Sequence, residues 1–424
     1  MNNKFKFTAL TLALALGFTA CGNEAEKKAD EATTKVEEAA TDAKDKAENA
    51  AEEAKDAAEN AKEDAKDAAE NAKEDAKDAA EDAKDKAEDA AEDAKEKIED
   101  AVEGAKEEMS DEDFAKATEG KLVLRRSLKA PHGEGAFARI AVITDGDKIV
   151  DATIDEFQYF DEDSDFVALP NQDKDTEFKA GNAEGKILGS KIMNDEQYSA
   201  MMKEKAESTV SIWDNYVAIE KFAMGKTIDE LKEVVADAED GKAIDAVTGA
   251  TLVDTKGYLQ TIIETAESRD NATIFEAENT DNIKVQQLFG TAGNENAVTD
   301  TFVVVEDGKI IAANIDEYQY MDGKGVPNSD KKFGENYADS EKVLASKIEN
   351  NDDYSAKMAD IAKSTKTLKE SFRAIEEYVV GKTPEEIKEL IDSSEAGKPV
   401  DAISGATLTS TVGYLQEIYN AATK

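Results

Sequence analysis

The chain has 424 residues, with 96 acidic side chains against 52 basic ones and a formal net charge of −44. That surplus repels phosphate backbones and anionic lipid surfaces, which argues against DNA or RNA as a partner. One histidine and one cysteine are too few for the usual nitrogen–sulfur metal centres, so no metal ligands are expected, and no intramolecular disulfide can form.

Residues 1–20 read as an export signal: Lys4 and Lys6 supply the charged region and Thr8 to Leu16 an apolar run of signal-peptide length. The run is too short for a permanent membrane span. Phe18-Thr-Ala followed by Cys21-Gly-Asn is similar to a lipobox, in which the cysteine is diacylated and becomes the new N-terminus. Two acyl chains are enough for stable anchoring. The expected location is therefore the outer face of a cell membrane, with Cys21 as the lipidation site.

Residues 21–118 read as the lipidated N-terminus and a spacer. Residues 24–118 hold 36 acidic and 16 basic side chains, a difference of −20. From about residue 50 to 108 the chain repeats every eleven residues, as in Ala61-Lys-Glu-Asp-Ala-Lys-Asp-Ala-Ala-Glu-Asn. Eleven residues over three turns keep one face on a helix with a slight right-handed supercoil. Pairs such as Glu63–Lys66 and Glu70–Lys73 support it. An alanine stripe buries little area, so the expectation is a charged helix or loose coiled coil, with a partly disordered spacer or a desiccation-protectant role, which the eleven-residue pattern also resembles, as alternatives. Fully helical, it would reach on the order of 140 Å.

Beyond it the sequence states itself twice. Ile154-Asp-Glu-Phe-Gln-Tyr159 matches Ile315-Asp-Glu-Tyr-Gln-Tyr320, Pro170-Asn171 matches Pro327-Asn328, and Gly225-Lys-Thr227 matches Gly381-Lys-Thr383. Two tandem domains are expected, 119–270 and 271–424, with a polar join near 267–282. Within each, β-type runs (138–144 and 302–305) lead through tight turns into second strands ending at Tyr159 and Tyr320. Helical stretches follow over 195–223 and 351–379. Further helices start at Thr227 and Thr383, where Thr-x-x-Glu forms a capping box and Pro384 takes the first helical position. The order predicts an α+β fold. The Gly-Lys-Thr triplets are helix caps rather than phosphate loops, because the glycine such a loop needs earlier is replaced by Glu220 and Glu376.

Each copy ends on nearly the same words: Asp245-Ala-Val-Thr248-Gly249-Ala250-Thr251 and Asp401-Ala-Ile-Ser404-Gly405-Ala406-Thr407, followed by Gly257-Tyr-Leu-Gln and Gly413-Tyr-Leu-Gln. Glycine permits a tight turn with positive φ, and alanine leaves room beside it. Helices over 255–267 and 411–422 would direct free N–H groups at an anion. Tyr159, Tyr320, Phe157 and Tyr318, with Gln158 and Gln319, either line a ring or pack in the core. Trp213 and His132 have no counterpart in the other copy; Trp213 is expected to pack and His132 to lie in a loop.

The pattern D-x-x-[ST]-G-A-T resembles the flavin-attachment site of the FMN-binding domain family, which includes the C subunit of sodium-translocating NADH:quinone reductase and the G subunit of the Rnf complex. With the lipobox and spacer, the chain is similar to PplA-type lipoproteins of Gram-positive extracellular electron transfer. The resemblance implies two covalent FMN groups per chain, attached to Thr251 and Thr407 by an ApbE-type flavin transferase. Asp245, Thr248, Gly249, Ala250, Asp401, Ser404, Gly405 and Ala406 would surround them. It further implies electrons passing from a membrane NADH dehydrogenase and quinone pool to external acceptors such as ferric iron, by a carrier with no catalytic residues of its own. The alternatives are an acidic wall-spanning spacer or interaction lipoprotein without flavin, and a precursor whose signal-peptide tail, near 13–20, is a pheromone.

Overall fold

A computed structural model describes residues 110–173 and 176–424, with Glu52, Lys55, Lys62 and Lys66, which are helical and exposed. The signal segment, Cys21 and the rest of the spacer lie outside the described residues.

The fold is α+β, built on two antiparallel sheets. Helix α1 (Asp111–Thr118) leads into β1 (Leu122–Lys129), β2 (Ala136–Asp145) and β3 (Lys148–Asp161). A short α2 (Glu177–Ala180) and β4 (Lys186–Ser190) precede four longer helices. These are α3 (Asp195–Ala206), α4 (Ile212–Ala223), α5 (Ile228–Asp237) and α6 (Thr255–Glu267). The second half continues with β5 (Thr273–Phe275), β6 (Lys284–Gly290), β7 (Ala297–Glu306), β8 (Lys309–Met321) and β9 (Val343–Ser346). Helices α7 (Asn351–Ala362), α8 (Leu368–Val379), α9 (Pro384–Ser393) and α10 (Thr411–Ala422) complete it.

The sheet orders are β4-β3-β2-β1-β5 and β6-β7-β8-β9. Strand β5 lies within the expected polar join, past the expected boundary at 270, yet pairs with β1 through Leu122 and Phe275. The first sheet thus reaches into the second half of the sequence.

Period-two alternation explains how strands buried on both sides arise in antiparallel sheets, which commonly leave one face wet. In β2, Ala138, Ile140 and Val142 face helices α4–α6, in a cluster that also holds Tyr216, Ile219, Leu231, Tyr258 and Ile262. The intervening Phe137, Ala141 and Ile143 join clusters containing Val298, Phe302 and Val304 of β7. Each sheet therefore buries one face under its own helices and the other against its neighbour.

The expected helical stretches 195–223 and 351–379 are each broken in two. The breaks come at Glu207 (φ 52°) and Lys363 (φ 54°), both left-handed. The N–H groups that open the following helices are taken by side chains of the preceding ones: Ser199 Oγ accepts from Ile212 (2.9 Å) and Asp195 Oδ1 from Trp213 (3.0 Å). Ser355 and Asn351 do the same for Leu368 (3.0 Å) and Lys369 (2.9 Å).

Polar groups also hold the sheets together. The Arg139 guanidinium, fully buried, lies 2.7 Å from Asp300 Oδ1, with its plane near the rings of Phe289 and Phe302. Arg126 reaches Asp300 and Asp316, both at 3.3 Å. Burial lowers the affinity of Arg126 for its proton, but Asp316 and Asp300 more than reverse this, and its pKa is raised. Burial also lifts Asp155 and Asp316 to about 6 against the pull of these arginines.

Each half clasps the other through one asparagine in the left-handed region, Asn171 (φ 59°) and Asn328 (φ 67°). Asn171 donates to the carbonyls of Asn294 and Ala297. Asn328 donates to those of Gly133 (3.1 Å) and Ala136 (2.7 Å).

Candidate functional site

The two D-x-x-[ST]-G-A-T segments fold as matching loops between α5 and α6 and between α9 and α10. Val247 and Ile403 anchor them, 1 % and 3 % exposed within the helix-covered cores. The Ala250 amide then turns back to the Val247 carbonyl (3.1 Å), and that of Ala406 to Ile403 (3.3 Å). At Gly249 and Gly405 φ is +99°, and a Cβ there would stand 3.3 Å from Ala218 or Ala374 on the helix behind. Both the torsion and the close approach call for glycine.

Past the glycine, Leu252 and Leu408 pack partly into the cores, and their carbonyls accept from the Thr255 and Thr411 hydroxyls at 2.6 Å. The chain is thus pinned on both sides of Thr251 and Thr407, which remain exposed. Asp245, Thr248, Asp401 and Ser404 are exposed in the same loops, while Ala250 is half-buried and Ala406 buried. The following helices start four residues later, at Thr255 and Thr411, with no side-chain cap. Gly257 and Gly413 seat those starts, since a Cβ would lie 2.0 Å from the Pro131 carbonyl oxygen or 1.9 Å from that of Ala292.

The two loops differ in what holds the threonine. Asn215 Oδ1 accepts from the amides of Thr251 (2.6 Å) and Leu252 (3.2 Å) and lies 3.4 Å from Thr251 Oγ1. Its Nδ2 donates to the Ser211 carbonyl (2.7 Å), which fixes the orientation of the carboxamide. The corresponding residue on α8 is Ser371, too short to reach, with its hydroxyl buried and unpartnered. Thr407 Oγ1 instead lies 3.3 Å from Ser364 Oγ. Because the Ser364 hydroxyl donates to the Lys366 carbonyl (2.8 Å), Thr407 is the donor in that pair. Neither Asn215 nor Ser364 is a base, so the hydrogen-bond partner that each threonine hydroxyl faces orients it without taking its proton.

Buried charge pairs lie where β3 and β8 meet the helices. Lys191 bonds Glu156, which also accepts from the Tyr216 hydroxyl (2.8 Å) and faces His132 Nδ1 at 2.9 Å. Burial would push the Glu156 carboxyl up, but Lys191 and His132 outweigh it and hold it down at about 2. In the second half Lys347 meets Glu317 at 2.7 Å. Burial raises the phenols of Tyr216, Tyr258 and Tyr414 well above their usual range.

The aromatic residues considered for a flavin ring sit inside the inter-sheet core: Phe157, Tyr159 and Tyr318 are 1 %, 8 % and 3 % exposed, with Tyr320 packed against them. That space is filled by Phe137, Phe178 and Phe333, so a ring has no place beside them. Gln158 and Gln319 are half-buried on the same strands. Trp213, expected to pack, is instead 47 % exposed, and it is its backbone N–H that meets Asp195. His132 does lie in a loop, between β1 and β2. Sequence reading overlooked Asn215; the Asn-to-Ser difference between the copies at 215 and 371 was its visible signal.

No protein-family model matches the sequence, and comparisons with curated proteins and with solved structures find nothing significantly similar.

Proposed function

We propose that the chain is a membrane-anchored extracellular electron carrier, built as a tandem of two FMN-binding domains with one covalent FMN on each of Thr251 and Thr407. The observation that carries this reading is the pair of matching loops. Each presents an exposed threonine hydroxyl, two residues after a positive-φ glycine, on a backbone pinned at both sides. That arrangement fits an acceptor for a phosphoryl group: the hydroxyl is accessible, and no side chain larger than alanine crowds it between the glycine and the threonine.

Attachment requires a flavin transferase of the ApbE type acting on FAD. The bond from threonine Oγ to phosphorus forms, the pyrophosphate P–O bond breaks, AMP leaves, and the hydroxyl proton passes to a base on the transferase. Bound FMN supplies the redox chemistry, accepting electrons from the membrane quinone pool and passing them to acceptors such as ferric iron. The chain supplies placement: Gly249 and Gly405 aim the loops, and Val247, Leu252, Ile403 and Leu408 hold them to the cores. Lipidated Cys21 and the eleven-residue repeat would supply anchorage and reach from the membrane.

Intact mass of the mature protein, co-expressed with a flavin transferase, tests the reading. Two FMN adducts are expected, one lost in Thr251→Ala, one in Thr407→Ala and both in the double variant. An unmodified protein in the presence of an active transferase would exclude it and favour a wall-spanning lipoprotein without flavin.

A further inference from the structure

Resting on the flavin reading, the structure assigns Asn215 as a positioning residue that makes the two attachment sites unequal: the phosphodiester on Thr407 is held by main-chain amides, and that on Thr251 is not. Asn215 occupies both amides that flank the Thr251 side chain, those of Thr251 (2.6 Å) and Leu252 (3.2 Å). Its carboxamide cannot turn away without giving up the Ser211 carbonyl (2.7 Å) and Val210 carbonyl (3.3 Å), which accept from its nitrogen. It is fully buried on α4, so water does not compete for these bonds.

In the second half the same helix position is Ser371, and its unpartnered buried hydroxyl leaves the opposite loop uncapped. Among the described residues the amides of Thr407 and Leu408 make no hydrogen bond. Two consecutive free N–H groups, beginning two residues past the positive-φ Gly405, are donors suited to an anion. Once Thr407 carries a phosphodiester, its charged oxygens lie within reach of these donors, and charge-assisted bonds of this kind are stronger than neutral ones. At Thr251 the donors are already spent on a neutral carboxamide. The flavin on Thr407 is therefore a fixed arm, and the flavin on Thr251 a swinging one.

The test uses full-length mature protein loaded by a flavin transferase, in single-site forms. Thr407→Ala carries flavin on Thr251 only, and Thr251→Ala on Thr407 only. Time-resolved flavin fluorescence anisotropy reads arm mobility, and the 31P shift reads hydrogen bonding to the phosphodiester. The Thr251-linked flavin is expected to show the larger fast component of decay. Asn215→Ser in the Thr407→Ala background should shrink that component, and Ser371→Asn in the Thr251→Ala background should enlarge it, each with a matching displacement of the 31P resonance.

Equal decays and equal 31P shifts in the two single-site forms would overturn the inference, as would a difference that neither exchange alters. If an exchanged variant does not fold, as circular dichroism would show, the two unexchanged forms decide. Intact mass keeps the two readings apart. Absence of adducts overturns the flavin reading and this inference with it, whereas one adduct per form with indistinguishable mobility overturns this inference alone.

Discussion

Glu220 and Glu376 occupy the places where a phosphate loop would need glycine, and their actual task is to close a strand edge. Strand β4 pairs with β3 only from Phe157 onward, so the earlier N–H groups on that side of β3 lack a neighbouring strand. Glu220 accepts the Ile154 amide (2.8 Å), and Glu376 accepts that of Ile315 (2.7 Å) on β8. Burial pushes these carboxyls up, to about 8 for Glu220 and about 7 for Glu376, with the backbone bond pulling back. Both folded values lie above the unfolded value of about 4.3, so the folded chain holds extra protons between them. The stability they contribute is full below that unfolded value and is lost as pH rises through 7 and 8. Glutamine keeps the acceptor and removes the charge. Glu220→Gln and Glu376→Gln should each raise stability at pH 9 by on the order of 2 kcal/mol, allowing for partial solvent access. Urea midpoints that coincide with wild type near pH 4 and exceed it near pH 9 would bear this out; equal midpoints at both would not. Glu156 acts with the opposite sign. Held down at about 2 by Lys191 and His132 against its burial, it contributes stability above the unfolded value that is lost as pH falls towards 2.

At the scale of elements, local signals were legible and tertiary ones were not. The capping boxes read at Thr227 and Thr383 are present, each threonine accepting from the N3 amide while Glu230 or Glu386 reaches back. Thr227→Ala and Thr383→Ala should therefore each cost about 1 kcal/mol in thermal or urea unfolding. The positive-φ glycines of the two matching threonine loops were equally readable, because a tight turn leaves a mark on residue choice. The breaks at Glu207 and Lys363 were not. Alanine, lysine, glutamate and methionine through this stretch all favour helix, and what ends α3 and α7 is the claim of their own serine, aspartate and asparagine side chains on the next helix. Strands β1 and β6 escaped for a related reason. Arg125 and Arg126 in β1, and Gln286 and Gln287 in β6, break an apolar alternation whose polar members face partners in the other sheet or in distant loops, as Arg126 faces Asp300. Asn215 escaped because its value depends on a loop 36 residues away.

For the molecule as a whole, the two sequence copies do not amount to two independent bodies. Phe137 and Phe157 of one sheet share a cluster with Val298, Tyr318 and Phe333 of the other. Asp300 serves both Arg126 and Arg139 without exposure to water. Removing it leaves two buried guanidinium groups short of a counter-charge, a loss of roughly 3–5 kcal/mol. Asp300→Ala should lower the unfolding midpoint of the whole unit in a single transition, with fluorescence and circular dichroism changing together. Two separated transitions, or a loss confined to one half, would show that the sheets fold independently. Lys347→Met is a useful contrast: it strands Glu317 within the second half, yet should report through the same shared transition.

The asparagine clasps carry a mechanical consequence. Asn171 is fastened to the opening of β7 and Asn328 to the opening of β2, so each half wears a loop belonging to the other. Tension applied along the chain cannot peel one half away as a bead leaves a string. The load is shared across both clasps and the sheet-to-sheet seam, which must yield together, so the spacing between the two threonines persists until the whole body gives way.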